Sequence, residues 1–440
     1  MKRQISTALS HWKQQPDHLP LLVRGARQVG KSFIIESFGK QSFENVVTVN
    51  LEQHPECHSY FESLDPVQIV SKIGLLLAKP IQAGKTLLFI DEIQEGPKAI
   101  MALRYFKEQM PALHVIAAGS LLEFVLNSEN FRMPVGRVQS YYLKPLSFYE
   151  FLGAVGKQQW VDHLGSVSLT EGVDDVLHRQ LLDHLRQYLV MVGMPAVIES
   201  FINDNDYNVC QERQAAILNT YRNDFGKYAK KIAFENLQTL FQKVPGFVGE
   251  QIKYSRIDAE VKSRDMKYAI QCMEQAGLIY PIYHTNASGL PFYSGVNDNK
   301  FKLLFLDVGL VQYQTHLSSE ILLAEDILLL NRGGLAEQFV GQELLAYTHY
   351  YEAGELYYWT REKQSSKAEI DFVVNVGSQI LLVEVKSGKT GRLKSMQVFL
   401  KEKNLALGLR ISSSPLLLER NILSIPLYMI AELARLVEAV

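Results

Sequence analysis

The chain of 440 residues is 47% hydrophobic and 21% charged, an ordinary globular composition. Its net charge of -2 excludes a global electrostatic attraction to nucleic acid or to an anionic membrane, so any DNA contact must come from a local basic patch. Three widely spaced cysteines without a C-x-x-C pair indicate buried thiols rather than a disulfide framework or a zinc site. Without an apolar run of roughly 18 residues or a signal-peptide pattern, we expect a cytoplasmic protein that makes no membrane contact.

The stretch from residue 25 to residue 32 has the nucleotide-binding pattern G-x-x-x-x-G-K-S/T. It lies between an apolar run and a helical pattern, which is the context that a P-loop requires. In such a loop, backbone N–H groups surround the phosphates of ATP, Lys31 reaches the β- and γ-phosphates, and the Ser32 hydroxyl is a ligand of Mg²⁺. The predicted nucleotide-binding residues are Gly25, Ala26, Arg27, Gln28, Val29, Gly30, Lys31 and Ser32.

A second apolar run, from Thr86 to Ile90, ends in the acids Asp91 and Glu92. We interpret it as a buried parallel strand that delivers carboxylates at its C-terminal edge. Asp91 is predicted to hold Mg²⁺, directly or through water, and Glu92 to polarise the attacking water as a catalytic residue. A strand that simply ends in solvated acids is the plainer alternative, but the P-loop upstream favours a nucleotide site.

Residues 1–155 alternate strand-like apolar runs with helical stretches, which predicts an α/β fold with a parallel sheet covered by helices. The predicted strands are Leu21–Arg24, Val46–Asn50, Leu87–Ile90, His114–Ala118 and Gln139–Leu143. Between the third and fourth strands, Pro97–Met110 has apolar residues at helical spacing and predicts a core-facing helix. The fourth strand leads to Ser120, which stands where AAA-type ATPases carry the polar group that senses the γ-phosphate. Capping of the following helix is an equally weighted role for Ser120.

The segment Val135-Gly136-Arg137-Val138 is followed by Pro-Leu-Ser-Phe-Tyr-Glu-Phe at residues 145–151. With these residues the chain resembles the prokaryotic AAA-type ATPases that end in a domain of unknown function with a restriction-endonuclease-like core. The resemblance makes Arg137 a candidate arginine finger, acting within its own subunit or, in a homo-oligomer, on a neighbour. A structural arginine is the alternative, and Arg132 competes for the role.

The resemblance also implies four parts. They are a P-loop AAA-type ATPase core, a helical lid, a winged-helix domain and a C-terminal α/β restriction-endonuclease-like domain. The expected boundaries are 1–155, 156–232, 233–315 and 316–440.

Residues 160–228 have a mostly helical pattern that resembles the helical lid of this ATPase family. The pattern is interrupted at Gly193-Met194-Pro195, which matches a glycine-proline turn found in the family. A purely structural helical layer is the alternative. Residues 235–310 then have the pattern of a winged helix, with three helices followed by two strands. Because residues 221–270 carry ten basic and six acidic side chains, this part is expected to contact DNA through a local basic face. A winged helix used for protein contact is the alternative.

Two apolar strands near the C-terminus carry charged residues. Asp371 lies inside one of them, while Glu384 and Lys386 lie on the next and point the same way because side chains alternate along a strand. An aspartate followed by E-x-K resembles the metal site of the restriction-endonuclease-like superfamily. The resemblance makes Asp371 and Glu384 ligands of Mg²⁺, Glu337 a further candidate ligand, and Lys386 the catalytic residue that activates water. A scaffold that binds DNA or a partner without cutting is an equally weighted alternative.

These observations lead to two functional hypotheses. The first is a Mg²⁺-dependent ATPase that acts on or is regulated by DNA, with metal-dependent nuclease activity left open for the C-terminal domain. The second is a nucleotide-controlled switch or scaffold that recognises a partner through an inactive nuclease-like domain.

Overall fold

The computed structural model describes residues 1–127, 136–191, 193–228, 231–323, 333–361, 368–386, 394–403 and 405–440. Two sheets organise this part of the chain, one of five strands and one of eight. The largest hydrophobic core contains side chains from both sheets, such as Leu87 of the first and Phe372 of the second. The two sheets therefore belong to one continuous packed body.

The first sheet contains the five strands predicted for residues 1–155. They are β1 (Leu21–Arg24), β2 (Asn45–Asn50), β3 (Thr86–Asp91), β4 (His114–Ala118) and β5 (Gln139–Tyr142). All pairings are parallel, in the order β2-β3-β4-β1-β5. The predicted α/β fold with a parallel sheet is confirmed, and the C-terminal ends of β1, β3 and β4 meet at one edge.

Helices cover both faces of this sheet. They are α1 (Ile5–Gln14), α2 (Lys31–Ser42), α3 (Pro66–Leu76), α4 (Pro97–Gln109) and α5 (Leu122–Leu126). Because side chains alternate along β3, Leu87 and Phe89 pack into the core that contains α1 and α2. Leu88 and Ile90 pack into the core that contains α3 and α4. The predicted core-facing helix is therefore α4, and the prediction is confirmed.

A helical layer follows the first sheet. It consists of α6 (Phe148–Ala154), α7 (Gln158–Leu164), α8 (Asp175–Met191), α9 (Pro195–Asp204) and α10 (Tyr207–Tyr228). A capping box between Ser147 and Glu150 begins α6. The predicted interruption at Gly193-Met194-Pro195 lies between α8 and α9. Among the described residues, no single helix is long and apolar enough to cross a bilayer, and only α8 and α9 taken together as a bent pair reach that length and composition.

The middle of the chain contains three helices and two strands in the predicted order. They are α11 (Lys231–Lys243), α12 (Tyr254–Ile257), α13 (Ser263–Gln275), β6 (Ile279–Thr285) and β7 (Val296–Phe305). α12 is only a single turn, and β6 pairs antiparallel with β7. This order of elements is that of a winged helix, whose fold stays a prediction.

The second sheet is mixed and contains the hairpin of β6 and β7. The remaining elements are α14 (Val308–Thr315), α15 (Ser318–Leu323), α16 (Gly334–Ala346), β8 (Leu356–Thr360), β9 (Glu369–Val376), β10 (Gln379–Val385), α17 (Lys394–Lys403), β11 (Gly408–Ser412), β12 (Leu417–Glu419), β13 (Ile422–Pro426) and α18 (Leu433–Glu438). The strand order is β12-β13-β11-β10-β9-β8-β6-β7, with α16 and α17 in the cores of opposite faces. Because β6 pairs in parallel with β8, the sheet crosses the expected boundary near residue 315. A restriction-endonuclease-like fold stays a prediction.

Buried polar contacts join the helical layer to the second sheet. Asp307, which is fully buried after β7, accepts hydrogen bonds from the backbone N–H groups of Gly193 and Gly309, each at 2.8 Å. Glu343 of α16 accepts a hydrogen bond of 3.1 Å from the backbone N–H of Phe148, at the start of α6. The N–H groups of Phe148 and Gly309 lie in the first turns of α6 and α14, where they lack intrahelical partners, so the two carboxylates supply the missing acceptors. Glu343 thereby joins α6 to α16, and Asp307 joins the loop at Gly193 to the end of β7.

Candidate nucleotide site

The P-loop connects β1 to α2 and has the conformation that its glycines permit. Gly25 and Gly30 have φ angles of 147° and 94°, in the region that favours glycine. A Cβ atom on Gly25 would lie 2.3 Å from the carbonyl oxygen of Leu143, and one on Gly30 would lie 3.1 Å from Cγ of Pro195. The two glycines of the motif are thus required by backbone geometry and by close neighbours.

The lysine and serine of the P-loop begin α2. Nζ of Lys31 donates to the carbonyl oxygens of Gly25 at 2.9 Å and of Ala26 at 2.8 Å. Burial lowers the pKa of Lys31 to about 8, although the nearby Glu92 and Asp91 act in the opposite direction. Oγ of Ser32 donates to Oδ2 of Asp91 at 2.9 Å. The structure therefore brings the P-loop and the acidic end of β3 together, as the sequence predicted.

Asp91 is held in place by its neighbours on the sheet edge. It is 7% exposed, and burial raises its pKa, while the hydrogen bond from Ser32 opposes the rise. Nδ2 of Asn50, at the end of β2, donates to Oδ2 of Asp91 at 3.3 Å. The sequence analysis did not predict a role for Asn50. The signal was present, because Asn50 is a polar residue at the end of β2, as Asp91 is at the end of β3.

Glu92 and Ser120 lie near the same edge. Glu92 is half-buried with a φ of 48°, and its Oε2 accepts a hydrogen bond of 2.7 Å from Nε2 of Gln94. Ser120 is buried, and its Oγ has no hydrogen-bond partner among the described residues. It borders a cavity of about 500 Å³ that Gly25 and Ala26 also line. Because α5 lacks a side-chain cap, the alternative of helix capping by Ser120 finds no support.

The outer side of the P-loop is covered by α10. Arg27 forms an ion pair with Asp224, and the Tyr221 hydroxyl donates to the carbonyl oxygen of Arg27 at 2.8 Å. Nε2 of Gln28 donates to Oγ1 of Thr220 at 3.2 Å. Three side chains from adjacent turns of one helix therefore hold Arg27 and Gln28, and no local sequence pattern predicted this contact.

Arg3 supports the P-loop from the other side. Its guanidinium donates to the carbonyl oxygen of Val29 at 3.1 Å and to that of Lys144 at 2.7 Å, and it pairs with Glu150 at 2.9 Å. The side chain is 6% exposed. Sequence reasoning assigned no role to Arg3 and missed this contact, because its partners lie far away along the chain.

Arg137 does not lie at the P-loop of its own chain. It precedes β5, which runs parallel to β1, so it stands at the sheet edge opposite to the P-loop. Its Nε atom is 3.3 Å from Oε1 of Glu108, at the C-terminal end of α4. Action within its own subunit is therefore contradicted by strand direction, while action on a neighbouring subunit stays a prediction. Arg132 lies outside the described residues.

The charged residues predicted in the C-terminal domain also come together. Oδ2 of Asp371 accepts a hydrogen bond of 2.7 Å from the backbone N–H of Val385. Lys386 pairs with Glu384, with 3.0 Å between Nζ and Oε1. Oε2 of Glu337 is 3.2 Å from Nζ of Lys302, a residue of β7 that sequence reasoning missed.

No group of three His, Cys, Asp or Glu side chains is placed to hold a metal ion in the part of the chain that the structure describes. The three cysteines are buried free thiols, as expected. The metal roles of Glu337, Asp371 and Glu384 stay predictions, and the catalytic role of Lys386 depends on them.

Three family models match successive parts of the chain. Residues 17–152 match an AAA domain, residues 182–321 match the Domain of unknown function (DUF8612), and residues 332–428 match the Domain of unknown function (DUF4143). No curated protein matches the chain significantly.

Several solved structures are similar in part. A Walker-type ATPase of Pyrococcus abyssi has 13% identity and a TM-score of 0.43, over 70% of this chain and 94% of that chain. The ORC2 protein of Aeropyrum pernix has 10% identity and a TM-score of 0.34, over 72% and 92%. The RuvB branch migration motor of Thermotoga maritima has 15% identity and a TM-score of 0.28, over 63% and 86%.

The P-loop, the acidic end of β3, the parallel sheet and the family match agree with one another. All four fall within the same segment of the chain. Residues 17–152 thus form an AAA-type P-loop domain.

Proposed function

We propose that the protein is a Mg²⁺-dependent ATPase whose nucleotide site is the P-loop at the edge of the five-stranded sheet. The observation that carries the proposal is the contact of 2.9 Å between Ser32 and Asp91. A hydroxyl and a carboxylate are oxygen ligands that suit Mg²⁺ beside nucleotide phosphates, so these residues fit the ion. When bound there, Mg²⁺ would neutralise negative charge on the phosphates of ATP.

The remaining residues of the site have distinct roles in this proposal. The N-terminus of α2 and the P-loop backbone would bind the phosphates through N–H groups. A phosphate is a stronger acceptor than the carbonyls that Lys31 now contacts, and its charge would favour the ammonium form of a lysine whose pKa burial has lowered. Glu92 would orient the attacking water, and the unpartnered hydroxyl of Ser120 would donate to the γ-phosphate.

ATP binding and hydrolysis by three variants test this proposal. Lys31→Ala should lose both, because the phosphates lose their cation. Glu92→Gln should bind ATP and fail to hydrolyse it, because the amide cannot accept a proton from water. Lys40→Ala is the matched control, since Lys40 lies on the same helix with an exposed side chain and should retain both activities. Hydrolysis that survives Lys31→Ala would refute the proposal.

We further propose that DNA contacts the region of α12 and α13. Lys253, Lys262, Arg264 and Lys267 are exposed there. Among the described residues Arg264 forms an ion pair with its neighbour Asp265, at 3.4 Å on the surface, and such an exposed pair leaves its charge available to phosphates. Cationic side chains on a winged-helix pattern suit contact with a phosphate backbone.

Duplex, branched and single-stranded DNA should therefore stimulate ATP hydrolysis. Reversing two charges in Lys262→Glu/Lys267→Glu should abolish the stimulation and leave the basal rate unchanged. The double variant Lys72→Glu/Lys79→Glu is the control, because it changes two exposed lysines near α3. Equal stimulation of both double variants would rule out this surface as the DNA site.

A nucleotide-controlled switch is the second candidate function, and the cover of the P-loop by α10 favours it. The phosphates of ATP would bind beside Arg27 and Gln28 of the P-loop. Their binding would change the contacts of these two residues with Thr220, Tyr221 and Asp224 of α10. Amide hydrogen exchange of α10 should then increase when a non-hydrolysable ATP analogue binds. Hydrolysis that ignores every DNA, together with this change in exchange, would favour the switch over the DNA-coupled ATPase.

A further inference from the structure

Three acids of the C-terminal domain surround one buried lysine. Lys302 is 1% exposed, and its Nζ lies 3.2 Å from Oε2 of Glu337, 2.5 Å from Oε1 of Glu369 and 4.0 Å from Oδ1 of Asp371. The residues come from three separate elements, since Lys302 lies on β7, Glu337 on α16, and the other two on β9. We call these four residues the carboxylate cluster.

The lysine of the carboxylate cluster is charged. Its Nζ lies within 4.0 Å of oxygens of Glu337, Glu369 and Asp371, and three carboxylates at such distances favour the ammonium form of the side chain. Nζ also lies 5.4 Å from the ring centroid of Tyr358, a position that favours a cation. A permanent positive charge therefore occupies the centre of the cluster.

The cluster does not fit Mg²⁺. The ion requires near-octahedral oxygen ligands at about 2.1 Å, and an ammonium in contact with the same carboxylates would repel it. The other oxygen of Asp371 accepts the backbone N–H of Val385, and Glu384 is paired with Lys386. Both oxygens of Asp371 therefore have partners within the chain, whereas Glu384 uses one oxygen for Lys386 and its buried Oε2 has no hydrogen-bond partner among the described residues.

We infer that the ammonium of Lys302 is the resident cation of the carboxylate cluster, standing where a metal-dependent nuclease would hold Mg²⁺. The C-terminal domain consequently binds no divalent cation at Glu337, Asp371 and Glu384, and it does not cleave phosphodiesters. The charge of Lys302 instead links β7 to β9 and α16. This inference is independent of the ATPase activity, because none of these residues touches the P-loop.

Mn²⁺ binding to the nucleotide-free protein tests the inference. The concentration of free Mn²⁺ is measured by electron paramagnetic resonance. The Ser32→Ala variant removes the P-loop ligand and should bind no Mn²⁺ with useful affinity. Binding by Ser32→Ala that disappears in Ser32→Ala/Asp371→Asn would overturn the inference. Cleavage of plasmid DNA in Mg²⁺ that is lost in Asp371→Asn would overturn it as well.

A second variant tests whether the lysine excludes the metal. Lys302→Ala should have a lower melting temperature than the natural protein in EDTA, since the buried Asp371 and the partly buried Glu337 lose their cation. Replacing EDTA with Mn²⁺ should raise the melting temperature of Lys302→Ala, because the ion would take the place of the ammonium. The melting temperature of the natural protein should be the same in EDTA and in Mn²⁺. A Lys302→Ala protein that neither binds Mn²⁺ nor is stabilised by it would contradict the inference that the ammonium of Lys302 occupies the position of a metal ion. If that variant does not fold, Lys302→Gln keeps most of the side-chain volume and is read in the same way.

Discussion

Glu343 should make the stability of the protein depend on pH near neutrality. Its side chain is 2% exposed, and burial raises its pKa to about 8 from the ordinary value of 4.5. The nearby carboxylates of Glu150 and Asp307 act in the same direction, while the backbone N–H of Phe148 opposes them. At pH 7 the folded protein therefore holds a proton on Glu343 that the unfolded chain has released.

The magnitude follows from this difference in bound protons. A folded-state pKa above the unfolded value gives stability that is fully present below pH 4.5 and is lost as the pH rises through about 8. Between those limits, one extra proton in the folded state changes the free energy of unfolding by about 1.4 kcal/mol per pH unit. Between about pH 5.5 and about pH 7.5, the titration of Glu343 should therefore lower the free energy of unfolding by about 3 kcal/mol.

Urea unfolding of the natural protein and of Glu343→Gln at several pH values measures this contribution. The glutamine keeps an acceptor for the N–H of Phe148 and cannot titrate, so its free energy of unfolding should fall less steeply with pH. Glu352→Gln is the control, because Glu352 is exposed in the loop after α16 and should not change the slope. Curves of the natural protein and Glu343→Gln that run parallel from pH 5.5 to pH 7.5 would refute the reasoning.

Three further predictions concern the ATPase part. Gly25→Ala should abolish nucleotide binding and lower the melting temperature, because its Cβ would lie 2.3 Å from the carbonyl oxygen of Leu143; equilibrium binding of a fluorescent ATP analogue checks this. Leu103→Ala, a truncation of a fully buried side chain of α4, should lower the free energy of unfolding by about 2–5 kcal/mol, and a loss below about 1 kcal/mol would contradict the assigned core. Asp224→Asn should weaken the hold of α10 on Arg27 and speed association of the same analogue in stopped flow, whereas an unchanged rate would argue against the cover.

The nucleotide site was predictable because its signals are local. The P-loop requires fixed spacings over a few residues, and the acidic end of β3 follows directly from a short apolar run. The bounds of β3 and β4 were predictable for the same reason, since both strands are buried along their whole length and have nearly continuous apolar sequences. The contact between Ser32 and Asp91 then follows from the parallel order of β1 and β3.

Contacts between distant parts of the chain were not predictable in this way. The cover by α10 depends on how the helical layer packs, and no local pattern in residues 220–224 specifies a partner. For Arg137, the sequence context could not decide between action within its own subunit and action on a neighbour, because it does not reveal which sheet edge the residue occupies. Lys302 did leave a signal, because it is the one charge within the apolar stretch from Phe301 to Phe305 at the end of β7, and such a charge is costly unless it is paired. Its partners, however, lie on other elements.

The hairpin of β6 and β7 belongs at once to the three-helix region and to the C-terminal sheet. A cut in the chain near residue 315 would separate β6 from β8. In the N-terminal fragment β6 would be unpaired along one side, and in the C-terminal fragment β8 would be an exposed edge strand. β8 carries buried residues from Leu356 to Trp359, and unpaired apolar edge strands promote aggregation. We therefore expect a fragment that keeps the hairpin together with residues 333–440 to be more soluble than one that begins after residue 315, because it preserves the pairing of β6 with β8.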